Sequence, residues 1–156
     1  MQVFHLKRRR IALLGAVLLI VLGAAVLLAG CFRKSPPEDT AITLPEESDH
    51  LKFLESLGWT VEPTPIETLD LELPDPLNDI WCAYAQLQDT QGLPFSDYAG
   101  ATVQRYTYAL TNYHGIDKGV QANLYLCDGV LIGGDVIFTG QGGFQKDLNY
   151  PATAKE

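Results

Sequence analysis

The C-terminal half of the chain carries the clearest alternation of apolar and polar residues. Residues 102–112 are rich in β-branched and aromatic side chains, and residues 120–127 and 130–139 follow the same pattern. Runs of this composition are typical of β-strands. Asp128-Gly129 separates the last two runs, and this dipeptide is a strong signal for a two-residue hairpin turn. The pattern therefore predicts an antiparallel hairpin preceded by a further strand.

The hairpin turn also predicts which residues lie opposite each other. Without a bulge, Leu124 pairs with Gly133, and Ala122 pairs with Asp135. Asp135 then faces the apolar side of the sheet, where an unpaired carboxylate is costly. A bulge at Gly133-Gly134 turns Asp135 to the opposite face instead. The sequence leaves both arrangements open.

A short helix followed by a strand is predicted ahead of these strands. Leu51, Leu54 and Leu57 lie on one face of that helix, and Gly58 ends it. Over residues 69–73, leucine alternates with an acidic residue, which is the period of a half-buried strand.

A second helix is predicted after that strand. Asp75-Pro76 is expected to start it, because aspartate caps free amides and proline suits the first helical position. Tyr84 lies on its inner face, and Gly92 ends it. Two short helices packed on one side of a mainly antiparallel sheet of about four strands give an α+β fold for residues 48–148.

The N-terminal residues follow a different pattern. Residues 11–30 contain no charged side chain, and four basic residues, Lys7 to Arg10, precede them. A helix of this length spans ~30 Å, which is the hydrocarbon thickness of a bilayer. Basic residues before such a segment keep its N-terminal end in the cytoplasm. We therefore expect residues 11–30 to contact the lipid bilayer of the cytoplasmic membrane, with the C-terminal domain on the extracytoplasmic side.

Two interpretations of the N-terminal segment remain open. In the first interpretation, residues 1–31 form a lipoprotein signal with Cys31 as the lipidated residue, because the tetrapeptide Leu-Ala-Gly-Cys that ends at Cys31 matches a bacterial lipobox. The length of the apolar run favours a retained transmembrane helix instead. Residues 32–47 are rich in proline and acidic residues and are predicted to be a linker, and residues 149–156 a flexible tail.

The net charge of the exported part limits the classes of partner that it is expected to bind. All nineteen acidic residues follow Cys31, together with only seven of the eleven basic residues, which gives a net charge of −12. Nucleic acid and anionic lipid surfaces bind clustered positive charge, so neither is expected as a partner. Cations, basic peptides and cell-wall material remain compatible with this charge, which also keeps a domain soluble.

Several short motifs are similar to those of a known family. The motifs are Phe53-Leu54, Gly58-Trp59 with Val61, Tyr84 with Leu87-Gln88, Gln91-Gly92, Tyr98 with Gly100, Arg105-Tyr106-Thr107-Tyr108, Asn112-Tyr113, Ile132-Gly133-Gly134-Asp135 and Gly143-Phe144. In these motifs, the chain resembles an uncharacterised bacterial family, catalogued as domain of unknown function 4830. The resemblance covers nearly the whole exported domain. It implies a membrane-attached domain without a known activity, and it brings no catalytic residues.

Asp135 is the first candidate for chemistry. If it is buried, a partner such as Arg105, a tyrosine hydroxyl or free backbone amides must compensate its charge, and this structural role is favoured. The alternative is a carboxylate with a perturbed pKa that acts as acid or base in a small envelope enzyme.

A ligand groove lined by strand residues is the second candidate. Tyrosine offers apolar area together with a hydroxyl group, although core packing is the more usual role of strand aromatics. The groove candidates are Arg105, Tyr106, Tyr108, Asn112, Tyr113 and Asp135. His50, His114 and Asp117 do not follow a recognised ligand spacing, so we expect no metal and no other cofactor.

Cys82 and Cys127 are the third candidate, as a disulfide or redox pair in an oxidising compartment. Two small apolar side chains that do not meet are favoured over such a pair. The sequence contains no Gly-x-Ser-x-Gly or His-Glu-x-x-His motif. The expected function is a non-enzymatic binding or accessory module with an envelope protein or ligand as its partner. The Asp135 enzyme and the cysteine pair are the alternatives.

Overall fold

A computed structural model describes residues 41–151 of the chain. The predicted membrane segment at residues 11–30, the lipidation candidate Cys31 and most of the predicted linker lie outside the described residues. Within residues 41–151, no helix has the length and apolar character needed to cross a membrane.

Five strands form one antiparallel sheet in the order of the chain. They are β1 (Glu67–Glu72), β2 (Thr102–Leu110), β3 (Val120–Cys127), β4 (Val130–Phe138) and β5 (Phe144–Lys146). Each strand pairs with the next one, so β1 and β5 are the edges. The predicted α+β class with an antiparallel sheet is confirmed. The fifth strand adds to the predicted four, because three residues are too few to show alternation.

The two helices pack on opposite faces of the sheet. They are α1 (Glu47–Ser56) and α2 (Asp79–Asp89), and a 3₁₀ turn follows at Phe95–Tyr98. His50 of α1 contacts Tyr108 of β2, whereas Tyr84 of α2 contacts Tyr125 of β3, with ring centroids 5.2 Å apart. Tyr125 lies opposite Arg105, and side chains alternate along a strand, so Tyr108 points to the other face. The predicted placement of both helices on one side is therefore wrong: each face carries its own apolar cluster.

α1 ends as predicted. Gly58 has a φ of +98°, and the backbone N–H of Trp59 donates to the carbonyl of Leu54 at 3.2 Å. This reversal folds the indole back onto the helix, where Trp59 is only 3% exposed.

α2 begins later than predicted. The side chain of Asn78 accepts a hydrogen bond from the backbone N–H of Trp81 at 3.1 Å, which is the geometry of an N-cap. The predicted start at Asp75-Pro76 is therefore wrong, since these residues precede the cap. The start at Asn78 turns Trp81 toward the sheet and leaves Ile80 outside, with 79% of its surface exposed.

The segment just before α1 is part of the packed domain. The backbone N–H of Leu44 donates to the carbonyl of Gly129 at 2.7 Å, and Thr43 pairs with Val130 at the start of β4. Leu44 is 6% exposed and belongs to the core beneath α1. The sequence assigned residues 42–44 to the linker, whereas in the structure they contact the sheet.

A bulge in the β3–β4 hairpin decides which way Asp135 faces. After the turn, Cys127 pairs with Val130 and Leu126 pairs with Leu131, and Ile132 is then an extra residue in β4. Asp135 therefore lies opposite Asn123, so the pairing with Ala122 that was predicted for an unbulged hairpin is wrong and the bulged alternative is the one observed, with the extra residue at Ile132 instead of at Gly133-Gly134. The shift turns Asp135 away from the α1 side and toward the face that α2 covers.

Candidate functional site

Asp135 is buried, and two side-chain amides donate hydrogen bonds to its carboxylate. Asn123 Nδ2 lies 2.7 Å from one oxygen, and Gln145 Nε2 lies 2.5 Å from the other. Thr107 Oγ1 donates to Asn123 Oδ1 at 2.8 Å and so fixes the orientation of that amide. Although Asp135 is only 1% exposed, these donors replace the water that it loses on folding.

Burial and these hydrogen-bond donors have opposite effects on the pKa of Asp135. Burial raises the pKa of the Asp135 carboxyl, and the hydrogen bonds from Asn123 and Gln145 oppose this rise. Arg105, the partner suggested by the sequence, forms its ion pair with Glu67 of β1. Its positive charge reaches Asp135 as a weaker attraction that also lowers the pKa.

Two tyrosines lie between Asp135 and the surface. The hydroxyl of Tyr84 is buried beside the carboxylate without a hydrogen bond of normal geometry. Burial and the charge of Asp135 raise the pKa of Tyr84 well above its ordinary value, and burial also raises the pKa of Tyr125. Both side chains are therefore neutral phenols at physiological pH.

A cleft of about 630 Å³ opens in front of these tyrosines, and we call it the α2 cleft. Its lining residues are Asp79, Ile80, Trp81, Ala83, Tyr84, Leu87, Tyr125 and Gln145. Phe95 supports the aromatic wall from behind, with ring centroids 4.9 Å from Tyr84 and 5.6 Å from Trp81. Gln145 both lines the cleft and binds Asp135, so the buried carboxylate holds part of the wall in place.

A second cleft of about 520 Å³ lies beside the first, and we call it the Lys146 cleft. Its lining residues are Trp59, Leu87, Tyr113, Val136, Lys146, Asp147, Asn149, Tyr150 and Pro151. Hydrogen bonds to backbone carbonyls fix two of its aromatic walls. Trp59 Nε1 donates to Leu148 at 2.7 Å, and the Tyr150 hydroxyl donates to Asn112 at 2.9 Å. Leu87 lines both clefts.

The structure does not bring the six predicted groove residues together. Arg105 and Asp135 lie on the α2 face, whereas Tyr106 and Tyr108 face α1. The Tyr108 hydroxyl is 2.9 Å from Nδ1 of His50, and burial raises the pKa of Tyr108.

The remaining two groove candidates have separate roles. The amide of Asn112 accepts from the backbone N–H of Thr60 and donates to the carbonyl of Gly58, both at 2.9 Å. These bonds hold the chain after β2 against the end of α1. Tyr113 lines the Lys146 cleft, and among the six predicted groove residues it alone lines either cleft of the described structure.

The cysteines and histidines form no metal or disulfide site within residues 41–151. No group of three or more histidine, cysteine, aspartate or glutamate side chains there is arranged to hold a metal ion. Cys82 is an exposed free thiol that donates to the carbonyl of Leu77 at 3.5 Å, so it is not bonded to Cys127. The Cys127 thiol donates to the carbonyl of Thr102 at 3.6 Å.

The sequence missed most of the residues that line the clefts. The sequence did not identify Asn78 as the cap of α2, so Asp79 and Ile80 of the first turn were not recognised as residues that line a cleft. The Asn-Asp-Ile order before an aromatic stripe was the available signal. Lys146 had no sequence signal, since β5 is too short to show alternation and the contact of Lys146 with Tyr113 joins residues that are distant in the chain.

The comparisons with known proteins identify a family and no individual relative. A family model described as Domain of unknown function (DUF4830) matches residues 53–136. This range includes α2, the bulge and Asp135, and it ends before β5. Neither the curated proteins nor the solved structures contain a match to the chain.

Proposed function

Since the chain belongs to the family described as domain of unknown function DUF4830, which brings no activity with it, we propose a function from the geometry and charge of the domain itself. The N-terminal segment holds the domain on the outer side of the cytoplasmic membrane. There the α2 cleft binds a basic, partly apolar segment of another envelope protein. The function is binding, without a covalent step.

The composition of the α2 cleft is the observation that carries this proposal. Trp81, Tyr84 and Tyr125 form an aromatic wall, Ile80 adds an exposed apolar side chain, and Asp79 adds a carboxylate. Among residues 41–151, no lysine and no arginine lines this cleft. A cleft of this kind fits a lysine or arginine side chain of a partner together with an adjacent apolar residue.

The charge of the whole domain favours the same class of ligand. Residues 41–151 contain four basic and sixteen acidic side chains. The resulting negative potential attracts a cationic segment and accelerates its association at low ionic strength. Aromatic ring faces then attract the cation over short distances, which is an interaction of about 0.5–2 kcal/mol.

The buried Asp135 has a positioning role in this proposal. Both of its oxygens accept hydrogen bonds, and one donor, Gln145, lines the cleft. An acid or base in catalysis needs a substrate atom within hydrogen-bond reach. Because the Asp135 side chain is only 1% exposed, it is better suited to hold the wall of a binding cleft in place than to react with a substrate.

The sequence of the first forty residues supports the membrane tether. Residues 11–30 are long and apolar enough to cross a bilayer, and basic residues precede them. The eleven residues from Cys31 to Ala41 extend over at most ~40 Å. Residues 42–44 already pack on the sheet, so the stretch between the predicted membrane segment and the packed domain is short.

A peptide titration tests the proposal on the full chain in detergent micelles. The probe is a capped pentapeptide with one central lysine between two leucines, and the control peptide has glutamine in place of lysine. The indole N–H signal of Trp81 reports on the α2 cleft, and that of Trp59 reports on the Lys146 cleft. We expect the lysine peptide to shift the Trp81 signal and to bind about tenfold more tightly than the glutamine peptide.

Matched variants locate the binding. Ile80→Ser is expected to weaken the lysine peptide about tenfold, because it removes an exposed apolar contact. Ile66→Ser, at a residue that is 55% exposed outside the cleft, is the control and is expected to change nothing. Equal binding of both peptides, or an equal effect of the two serine variants, contradicts the proposal.

A further inference from the structure

The Lys146 cleft presents a lysine that is held by aromatic rings. Lys146 Nζ lies 4.9 Å from the ring centroid of Phe144 and 5.9 Å from that of Tyr113. It also donates a hydrogen bond to the Tyr113 hydroxyl at 3.1 Å. These contacts restrict the long side chain, so less conformational entropy is lost when a ligand binds the ammonium group.

The ammonium group of Lys146 has no ion pair within residues 41–151, although acidic residues are four times as numerous there as basic ones. Lys52 and Arg105 do form ion pairs, with Asp49 and Glu67. The neighbouring Asp147 accepts a hydrogen bond from the backbone N–H of Asn149 at 2.9 Å. One positive charge therefore remains available in a cleft whose aromatic walls are already fixed.

We propose that the Lys146 cleft binds a carboxylate attached to a planar apolar group. The carboxylate accepts a hydrogen bond from Lys146 Nζ, and the planar group lies among Trp59, Tyr113 and Tyr150. Charge complementarity selects this ligand, because Lys146 is the only basic side chain among the described residues that line the cleft. The inference goes beyond the proposed function and does not depend on it, since the α2 cleft selects the opposite charge.

Aromatic packing gives the planar group its place. Trp59 and Tyr113 are nearly parallel, with ring centroids 6.1 Å apart, and Tyr113 and Phe144 are stacked at 5.0 Å. A planar ligand extends such a series of rings with offset or edge contacts. Because Trp59 and Tyr150 are already hydrogen bonded to the backbone, they do not need to be ordered by the ligand.

The test compares benzoate with benzamide on the full chain in detergent micelles. The two probes have the same shape and differ in charge, and the indole N–H signal of Trp59 reports their binding. We expect benzoate to bind about tenfold more tightly than benzamide, because a hydrogen bond to a charged group is stronger than one to a neutral group. Equal shifts with the two probes overturn the proposal.

Variants assign the preference to Lys146. Lys146→Gln is expected to remove the preference for benzoate over benzamide, whereas Lys146→Arg is expected to keep it. The control is Lys118→Gln, at an exposed loop lysine, which is expected to leave the preference unchanged. Asp147→Asn is expected to tighten benzoate several-fold, since it removes a competing negative charge from the cleft. Unchanged benzoate affinity in Lys146→Gln overturns the proposal.

The two sources of such a carboxylate are separated by a second pair of probes. N-acetyl-phenylalanine stands in for the C-terminus of a peptide, and its amide is the neutral control. Tighter binding of the acid than of the amide supports a peptide terminus as the source, and a preference seen with benzoate alone supports a small planar acid. Shifts of Trp59 without shifts of Trp81 support the present inference even if the lysine peptide fails to bind.

Discussion

The side-chain carbonyl of Gln88 accepts a hydrogen bond from the backbone N–H of Gly134 at 2.8 Å. Gln91 Nε2 donates to the carbonyl of the same glycine at 3.0 Å. β5 pairs only with the last residues of β4, so Gln88 of α2 and Gln91, which follows the helix, satisfy backbone groups that a longer β5 would bind. This arrangement locks α2, and with it the α2 cleft, onto the sheet.

Replacement of Gln88 by alanine should therefore destabilise the domain. Gln88→Ala leaves the buried N–H of Gly134 without a partner and opens a cavity, and we expect a loss of about 2–4 kcal/mol in the free energy of unfolding. Gln86→Ala, on the exposed side of the same helix, is the control and should change it by less than about 0.5 kcal/mol. Denaturant unfolding measures both. Similar losses in the two variants would show that the Gln88 bond does not stabilise the fold.

Gly134 has its own steric requirement. A Cβ at this position would lie 2.4 Å from Leu148 Cδ1 and 3.0 Å from the backbone oxygen of Asn123. We expect Gly134→Ala to cost about 1–3 kcal/mol of stability through overpacking. Thermal unfolding followed by circular dichroism measures the change, and an unshifted transition would contradict the close approach of Leu148 to β4.

The raised pKa of Asp135 predicts a pH dependence of stability. A carboxyl group with a higher pKa in the folded state binds protons more tightly there, so its contribution decreases as the pH rises from about 4 through the folded-state pKa. Asp135→Asn removes this dependence and keeps the shape of the side chain. The free energy of unfolding of the wild type minus that of Asp135→Asn should therefore decrease from pH 3.5 to pH 7. A difference that increases with pH would mean that the charged form is the favoured one.

His50 predicts a dependence of the opposite sign at the N-terminal edge of the domain. Its Nε2 lies 3.2 Å from the carbonyl of Leu44, so the neutral ring donates there and accepts from the Tyr108 hydroxyl at Nδ1. Burial lowers the pKa of His50 below 6.5, so stability is lost as the pH falls below about 6.5. We expect the contacts of residues 42–44 to weaken first.

Hydrogen exchange at the backbone N–H of Leu44 measures this effect. The N–H bonds to Gly129, and its protection factor, corrected for the intrinsic pH dependence of exchange, should fall between pH 6.5 and pH 5. His50→Phe, which cannot become charged, should show a protection factor that does not change over this range. A pH-independent protection factor in the wild type would contradict the role of His50.

The β3–β4 hairpin shows how far the sequence predicts this fold. The hairpin turn was predictable because Asp128 and Gly129 both adopt positive φ, which few other residues tolerate. A bulge at Gly133-Gly134 was one of the two arrangements that the sequence left open, and the structure has the extra residue at Ile132, just before these glycines. One extra residue was enough to move Asp135 to the other face of the sheet.

The site residues were harder to predict than the strands. Asp135 was identified correctly as a carboxylate that requires compensation, yet its donors, Asn123 and Gln145, come from two other strands. The cleft walls depend on contacts between residues far apart in the chain, such as Trp59 and Leu148. Periodicity contains no information on such pairs, so the fold class was predictable and the clefts were not.

A thiol-specific label tests the proposal that this domain is displayed on the outer side of the cytoplasmic membrane. Cys82 is an exposed thiol on α2 next to the cleft, so it is a suitable reporter. We expect a membrane-impermeant maleimide to label Cys82 in intact spheroplasts of cells that express the full chain, and the Cys82→Ser variant to lose that label. Labelling of Cys82 only after the spheroplasts are lysed would place the domain in the cytoplasm and contradict the claim.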